Sequence, residues 1–117
     1  MVLADTSVWV DHFRRGVPML ANFLNEGTIL MHPFVSGELA CGNLKNRAAI
    51  LSNLNTLPTA TVADNREVLA LVENRNLWGR GLGWIDMHLL ASSLLSGSYL
   101  WTLDKRLEHA AIDLGIA

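Results

Sequence analysis

The stretch from Trp84 to Asp104, with the sequence WIDMHLLASSLLSGSYLWTLD, decides the fold. Its first part, Trp84–Ser96, is a strongly apolar run that is long enough for a helix. The dipeptide Gly97-Ser98 is typical of a turn, and Tyr99–Leu103 is a short apolar run that predicts a buried strand. A helix, a turn and a strand in this order make an α/β unit, in which the helix packs on the sheet that contains the strand.

The lengths of these two elements predict where their acidic residues meet. A helix from Asp86 to Ser96 advances about 16 Å at ~1.5 Å per residue, and a strand from Tyr99 to Leu103 returns about 16 Å at ~3.3 Å per residue. Because the two lengths cancel, we expect Asp104 to lie beside Asp86.

Strand and helix signals alternate with short joints along the rest of the chain, a pattern typical of a parallel sheet flanked by helices. The further predicted strands are Val2–Ala4, Thr28–Met31 and a small one at Thr59–Val62. The further predicted helices are Ser7–Arg15, Pro18–Asn25, Phe34–Leu44 after Pro33, Asn46–Leu57, one from the cap Asp64 through Val72, and a last one from Asp104 to Gly115. The sequence therefore predicts an α/β sandwich with a central parallel sheet, as a single domain over residues 1–117.

Composition excludes several classes of protein. The chain has 117 residues, of which 50% are hydrophobic and 17% charged, with a formal net charge of -2, so it is apolar enough to collapse and is not disordered. No apolar run approaches the ~18 residues of a membrane span. We expect no signal peptide, because Asp5 interrupts the short apolar stretch at the N-terminus. The single cysteine, Cys41, allows no internal disulfide. We therefore expect the protein to be located in the reducing cytoplasm.

Four acidic residues stand at or near the carboxyl ends of predicted strands. Asp5 and Asp104 directly follow the first and the last strand, Glu38 lies about one turn into the helix after the second strand, and Asp86 lies in the first turn of its helix. Ligands of α/β sheets bind beyond the carboxyl ends of the strands. We therefore expect the four carboxylates to converge on one rim of the sheet.

Converging carboxylates in apolar surroundings favour a hard cation. Asp86 and Asp104 are embedded in apolar sequence, where a carboxylate is costly to desolvate without a cation or strong donors. Oxygen ligands without cysteine or clustered histidine point to Mg²⁺ or Mn²⁺ rather than Zn²⁺. Such an ion, with a carboxylate left to orient the attacking water, fits the hydrolysis of phosphodiesters.

Four motifs, in order along nearly the whole chain, are VLADTSVWVD at 2–11, VSGEL at 35–39, DMHLLAS at 86–92 and LWTLDKRL at 100–107. Together they resemble the PIN-domain ribonucleases and, within that class, the VapC toxins of type II toxin–antitoxin systems. The resemblance implies an α/β/α sandwich and a Mg²⁺- or Mn²⁺-dependent endoribonuclease with a catalytic quartet of Asp5, Glu38, Asp86 and Asp104. It implies that Asp5 and Asp86 bind the metal, and that the other two complete the site through water, a second ion or the nucleophile.

The same resemblance implies supporting residues and partners. Thr6 and Thr102 match the hydroxyl positions that support the acidic cluster. The family implies homodimers that act on RNA, and inhibition by a cognate VapB-type antitoxin whose tail covers the active site. His88 departs from the pattern, because many relatives carry an apolar residue there. Two positions from Asp86, it faces another side of the helix, and we expect a structural hydrogen bond or a dimer contact for it.

The charge of the site changes how the basic residues are interpreted. Without its four acids the chain would change from a formal net charge of -2 to +2. Lys105 and Arg106 follow Asp104, and Arg80 precedes Asp86, so these three cations are candidates for phosphate contacts. Trp78 and Trp84 flank a glycine-containing loop near the site, and one of them is a candidate to stack on a base.

Three other functions remain as alternatives. A phosphoacceptor signalling domain also places acids and Mg²⁺ at strand ends, but it would have paired acids after the first strand, where Thr6 and Ser7 follow Asp5. A haloacid-dehalogenase-type phosphatase would have an aspartate at the position of Ser7. A PIN-fold module that binds without catalysis would retain the fold, and only a measurement of activity separates it from a nuclease.

Overall fold

Three short parallel strands form the centre of the molecule in the computed structural model, which describes residues 1–117. They are β1 (Val2–Ala4), β2 (Ile29–Leu30) and β3 (Tyr99–Trp101), in the order β2-β1-β3. In β1, Leu3 is paired with Leu30 on one side and with Leu100 on the other. All three leucines are buried, as expected where helices cover a parallel sheet.

Seven helices surround this sheet, and the predicted α/β/α sandwich is confirmed. They are α1 (Thr6–Arg15), α2 (Pro18–Glu26), α3 (Pro33–Cys41), α4 (Arg47–Leu54), α5 (Asn65–Asn74), α6 (Trp84–Ser96) and α7 (Lys105–Asp113). Their inner sides join the strands in one cluster of 25 buried apolar residues. None of these helices combines the length and the hydropathy that a membrane crossing requires.

Local chemistry explains where the decisive elements begin and end. Asp5 and Asp104 cap α1 and α7, because each side chain accepts hydrogen bonds from free backbone N–H groups of the first turn. Gly97 ends α6 in the left-handed conformation, at φ 62°, which a residue without Cβ adopts at low cost. The chain then reverses directly into β3, as the sequence predicts.

The strands predicted over 28–31 and 99–103 are longer than the observed ones, and the strand predicted over 59–62 is absent. The segment 59–62 forms no strand, and Thr59 makes only an isolated parallel bridge to Met31. The strand predicted over 99–103 ends at Trp101, because the N–H of Leu103 donates to the Ser7 hydroxyl rather than to a neighbouring strand. Side-chain hydrogen bonds of the site thus replace the end of the sheet.

Two predicted helices are also shorter in the structure. The helix predicted over 34–44 ends at Cys41, since Gly42 has an extended backbone, with φ -87° and ψ 175°. The helix predicted over 46–57 runs only from Arg47 to Leu54. The first correction lies between α3 and α4, and the second lies mainly in the segment that follows α4.

Candidate active site

Three of the four predicted acids line one cleft at the carboxyl ends of the strands. Asp5, Glu38 and Asp86 share this cleft of about 480 Å³, and the rest of its lining is Thr6, Gly83, Trp84, Ile85 and Leu89. β1 leads to Asp5 and the segment after β2 leads to Glu38, so the strand order brings the two side chains together. Three of the four side chains thus form one acidic surface.

Asp5 is the most buried of these acids, with only 7% of its surface exposed. Its Oδ1 accepts hydrogen bonds from the backbone N–H groups of Ser7 and Val8, at 3.0 and 3.4 Å, and from the Ser7 hydroxyl. Its Oδ2 accepts a 2.6 Å hydrogen bond from Thr102 Oγ1. Four donors therefore hold both oxygens in place and compensate for the lost water.

Ser7 and Thr102 connect Asp5 to the segment that follows β3. The N–H of Leu103 donates to Ser7 Oγ, and the N–H of Asp104 donates to Thr102 Oγ1, both at 3.0 Å. Each hydroxyl thus accepts one backbone hydrogen bond and donates another to Asp5. Ser7 therefore supports Asp5 in the same way as Thr102, although the family resemblance implies only Thr6 and Thr102 as supporting residues.

Thr6 contacts a different acid from Thr102. Its Oγ1 donates a 2.7 Å hydrogen bond to Glu38 Oε1, which joins the start of α1 to α3. The second oxygen of Glu38 has no hydrogen-bond partner within the protein. Glu38 is therefore oriented by one oxygen while the other is free to contact water.

Asp86 stands in the first turn of α6, where its Oδ2 accepts a 3.0 Å hydrogen bond from the N–H of Gly83. Burial raises the pKa of this carboxyl, the hydrogen bond from Gly83 lowers it, and the charges of Asp104 and Asp5 raise it further. The net change is upward. Asp104 and Asp5 are therefore close enough to repel Asp86, as a shared cation site requires.

Asp104 differs from the other three acids because it is exposed and does not line the cleft. Its Oδ1 caps α7 by accepting from the N–H groups of Arg106 and Leu107, at 2.9 and 3.3 Å. The structure places it at the edge of the acidic surface, near enough to act on Asp86 by charge.

The donor set fits a hard cation held by two carboxylates. No three carboxylate, imidazole or thiolate side chains lie close enough together to hold one ion among them. Mg²⁺ commonly keeps several water ligands and is held by only one or two carboxylates, through oxygen alone. Asp5 and Asp86 could supply such a pair, and Glu38 lines the same cleft, whereas Asp104 lies outside it.

The three predicted phosphate-binding cations differ in their surroundings. Arg80 is engaged by Asp113 across 2.9 Å. The Arg106 side chain packs closely over the backbone of Gly81, which has a φ of +78°. The approach is so close that a Cβ atom at position 81 would lie only 2.6 Å from Arg106 Nη1. Lys105 and Arg106 are both exposed and form no ion pair, but only Arg106 lies against Gly81, so Lys105 is the most available of the three to a phosphate.

His88 lies in an aromatic cluster beside the cleft, and only 2% of its surface is exposed. Its ring stands between Phe34 and Trp84, with centroids 4.7 and 4.8 Å away and the planes steeply inclined. Both ring nitrogens lack a hydrogen-bond partner, so the predicted structural hydrogen bond is wrong. Burial lowers the pKa of this imidazole, which favours the neutral ring.

Comparison with known proteins identifies the family. The PIN domain family model matches residues 2–113. Ribonuclease VapC32 of Mycobacterium tuberculosis, in the CDC 1551 / Oshkosh and H37Rv strains, is 45% identical over 118 residues, which cover 100% of this chain and 95% of the relative. The crystal structure of PAE2754 from Pyrobaculum aerophilum has a TM-score of 0.59 at 17% identity, covering 99% of this chain and 90% of that one, and so shares the fold. This chain therefore belongs to the PIN-domain family and, within it, to the VapC ribonucleases.

Proposed function

We propose that this chain is a Mg²⁺- or Mn²⁺-dependent endoribonuclease and acts as the toxin of a type II toxin–antitoxin pair. Asp5 and Asp86 would hold the ion, and Glu38 and Asp104 would complete the quartet. The observation that carries the proposal is the shared cleft of Asp5, Glu38 and Asp86, where burial, and after it the charges of Asp104 and Asp5, raise the pKa of Asp86. A divalent cation relieves this repulsion, and a phosphate group of RNA is the natural ligand for the combined site.

Each residue has a separate task in this proposal. When bound, the divalent ion neutralises charge on the scissile phosphate and acidifies water. Asp5 is preorganised by its four donors, so little reorganisation is required as the charge on the phosphate develops. Glu38 is held through Oε1 and has Oε2 free, which suits it to orient the attacking water and accept its proton.

The proposed partners follow from VapC membership rather than from the site. We propose RNA as substrate, a VapB-type antitoxin whose tail covers the cleft, and a homodimer as the working assembly. We also propose a cytoplasmic location, where the exposed free thiol of Cys41 would remain reduced.

Cleavage of a mixed RNA pool tests the activity. The purified protein, stripped of any bound partner, is assayed in Mg²⁺, Mn²⁺ and EDTA. We expect cleavage with either ion, none in EDTA, and a decrease of at least roughly 100-fold for Asp5→Asn or Asp86→Asn, because each removes a charge that neutral amides do not replace.

Glu73→Gln is the matched control, since it removes an exposed negative charge on α5 without touching the cleft. Cleavage that persists in EDTA or in both aspartate variants would contradict the proposal. Metal binding without any cleavage of the pool would favour the silent PIN-fold module instead.

A further inference from the structure

Two exposed aromatic rings stand beside the acidic cleft. Trp84 belongs to the cleft wall, two positions before Asp86, and 43% of its surface is exposed. Phe34, at the start of α3, is 36% exposed. We call Phe34 and Trp84 the aromatic ledge. Trp84 is the one aromatic ring in the lining of this cleft, and an apolar ring has no role in holding a cation.

Buried imidazoles support the aromatic ledge from behind. His88 contacts both rings of the ledge, and His32 contacts Phe34 at 5.2 Å between ring centroids. His32 is completely buried and His88 nearly so. Because buried rings in steeply inclined contacts restrict their neighbours, we expect the ledge to lose little side-chain entropy when a ligand binds.

We propose that the aromatic ledge, with Trp84 as its main member, is a stacking subsite for an unpaired nucleobase next to the scissile phosphate. This subsite rests on the proposed ribonuclease function, because a phosphate in the acidic cleft places a neighbouring base against the cleft wall. Every base has a π-face, so stacking supplies affinity for single-stranded RNA of almost any sequence. Phe34 does not line the cleft but shares the His88 contact with Trp84. Trp78, at 57% exposed, neither lines the cleft nor contacts His88, so we exclude it from the subsite.

Binding without turnover tests the subsite. We would measure, in Ca²⁺ and by fluorescence anisotropy, the Kd of a labelled single-stranded oligouridylate and of an abasic oligoribonucleotide with the same backbone. Electrophoresis would verify that both probes stay intact. We expect Trp84→Ala to raise the Kd of the oligouridylate roughly 5- to 100-fold and to leave the Kd of the abasic probe unchanged, because only a base can stack on the ring.

Two further variants separate stacking from structure. Trp78→Ala removes a similar exposed ring outside the cleft and is expected to change neither Kd. Trp84→Phe retains a π-face and is expected to stay within about threefold of the wild type. Thermal melting followed by circular dichroism would verify that each variant is folded.

Equal binding of both probes by the wild type would overturn the subsite, as would a Trp84→Ala variant that binds the oligouridylate as the wild type does. The second result would assign the ledge to a protein partner. A similar loss for both probes would also overturn it, since the tryptophan would then act through the backbone or the fold. The proposed ribonuclease activity can fail separately from the subsite. If the wild type binds the oligouridylate through Trp84 but cleaves no RNA, the stacking subsite stands and the ribonuclease function is refuted.

Discussion

Asp5 shows at the scale of one residue how the site is stabilised. Its carboxylate is nearly buried, and hydroxyl groups from Ser7 and Thr102 contact both oxygens. Those hydroxyls in turn accept hydrogen bonds from the backbone N–H groups of Leu103 and Asp104, so both hydroxyls and both oxygens of Asp5 have hydrogen-bond partners. Asp86 has one backbone donor and two repelling neighbours, Asp5 and Asp104. Negative charge is therefore well compensated at Asp5 and poorly compensated at Asp86.

Asp86→Asn is predicted to stabilise the protein when no metal is present. The pKa of Asp86 is raised in the folded chain, so above that pKa the ionised carboxyl favours the unfolded state. Asparagine removes the charge and keeps an oxygen that can accept from Gly83. In EDTA we expect a Tm higher by roughly 2–6 °C, measured by differential scanning fluorimetry.

With added Mn²⁺ or Mg²⁺, the Tm of the wild type is predicted to exceed that of Asp86→Asn. The ion binds only the folded wild type and raises its Tm, whereas the variant responds weakly. Glu73→Gln, again the control, keeps the wild-type response. A lower Tm for Asp86→Asn in EDTA, or an unchanged metal response, would show that Asp86 is neither repelled nor a ligand.

At the scale of elements, α3 begins at a buried histidine that also joins three parts of the fold. His32 Nδ1 accepts from the N–H of Phe34 and so caps the helix, while Nε2 contacts Ser92 Oγ on α6 at 3.1 Å. The same Ser92 oxygen accepts from the N–H of Ala63. Glu38 lies further along α3, so this contact helps to position one acid of the site.

His32 is predicted to make the fold sensitive to acid. Burial, and then the charge of His88, lower its pKa from 6.5 to about 4, so the folded chain resists its protonation. As the pH falls below 6.5, the unfolded chain binds a proton that the folded chain does not, and stability decreases. We expect this group to lower the free energy of unfolding by on the order of 2–3 kcal/mol between pH 7 and pH 4.

Urea unfolding at a series of pH values measures this effect. The His32→Asn side chain retains an oxygen that can cap α3 but has no group that titrates. We expect the free energy of unfolding of this variant to be lower than that of the wild type at pH 7. We also expect it to depend less on pH between pH 7 and pH 4. His109→Asn, at an exposed position on α7, should keep the wild-type slope. The same slope in His32→Asn and the wild type would refute the assignment.

At the scale of the whole molecule, the strand order determines the geometry of the site. β1 lies in the middle of the sheet, so Asp5 is flanked by the segment after β2 on one side and the segment after β3 on the other. Glu38 comes from the first side and Asp104 from the second. Basic residues lie outside this acidic centre, and their ion pairs decide which of them are available to RNA.

Lys105 is predicted to contact phosphate, and Arg80 is not. Lys105→Gln should weaken the binding of the oligouridylate and reduce the slope of log Kd against log salt by roughly 0.7, the value for one contact with a single strand. Arg80→Gln should change the slope much less, because Asp113 already pairs with this guanidinium. Equal changes in slope for the two variants, measured by anisotropy from low to moderate salt, would contradict this assignment.

The order of the elements and the family were predictable from the sequence because their signals are local. Apolar runs, capping aspartates at Asp5 and Asp104, and the glycine that ends α6 act within a few residues of one another. They also place Asp5, Asp86 and Asp104 at element ends, and the family model confirms the PIN assignment. The α/β/α class needed no tertiary information.

Only the tertiary structure decided which side chains meet. Thr102 and Asp5 are 97 residues apart, and Leu103 and Ser7 are 96 apart, so no local pattern indicates their hydrogen bonds. The same holds for the choice of Trp84 over Trp78 as part of the cleft wall. Local propensity depends on neighbours along the chain, whereas a contact depends on how the sheet brings distant segments together.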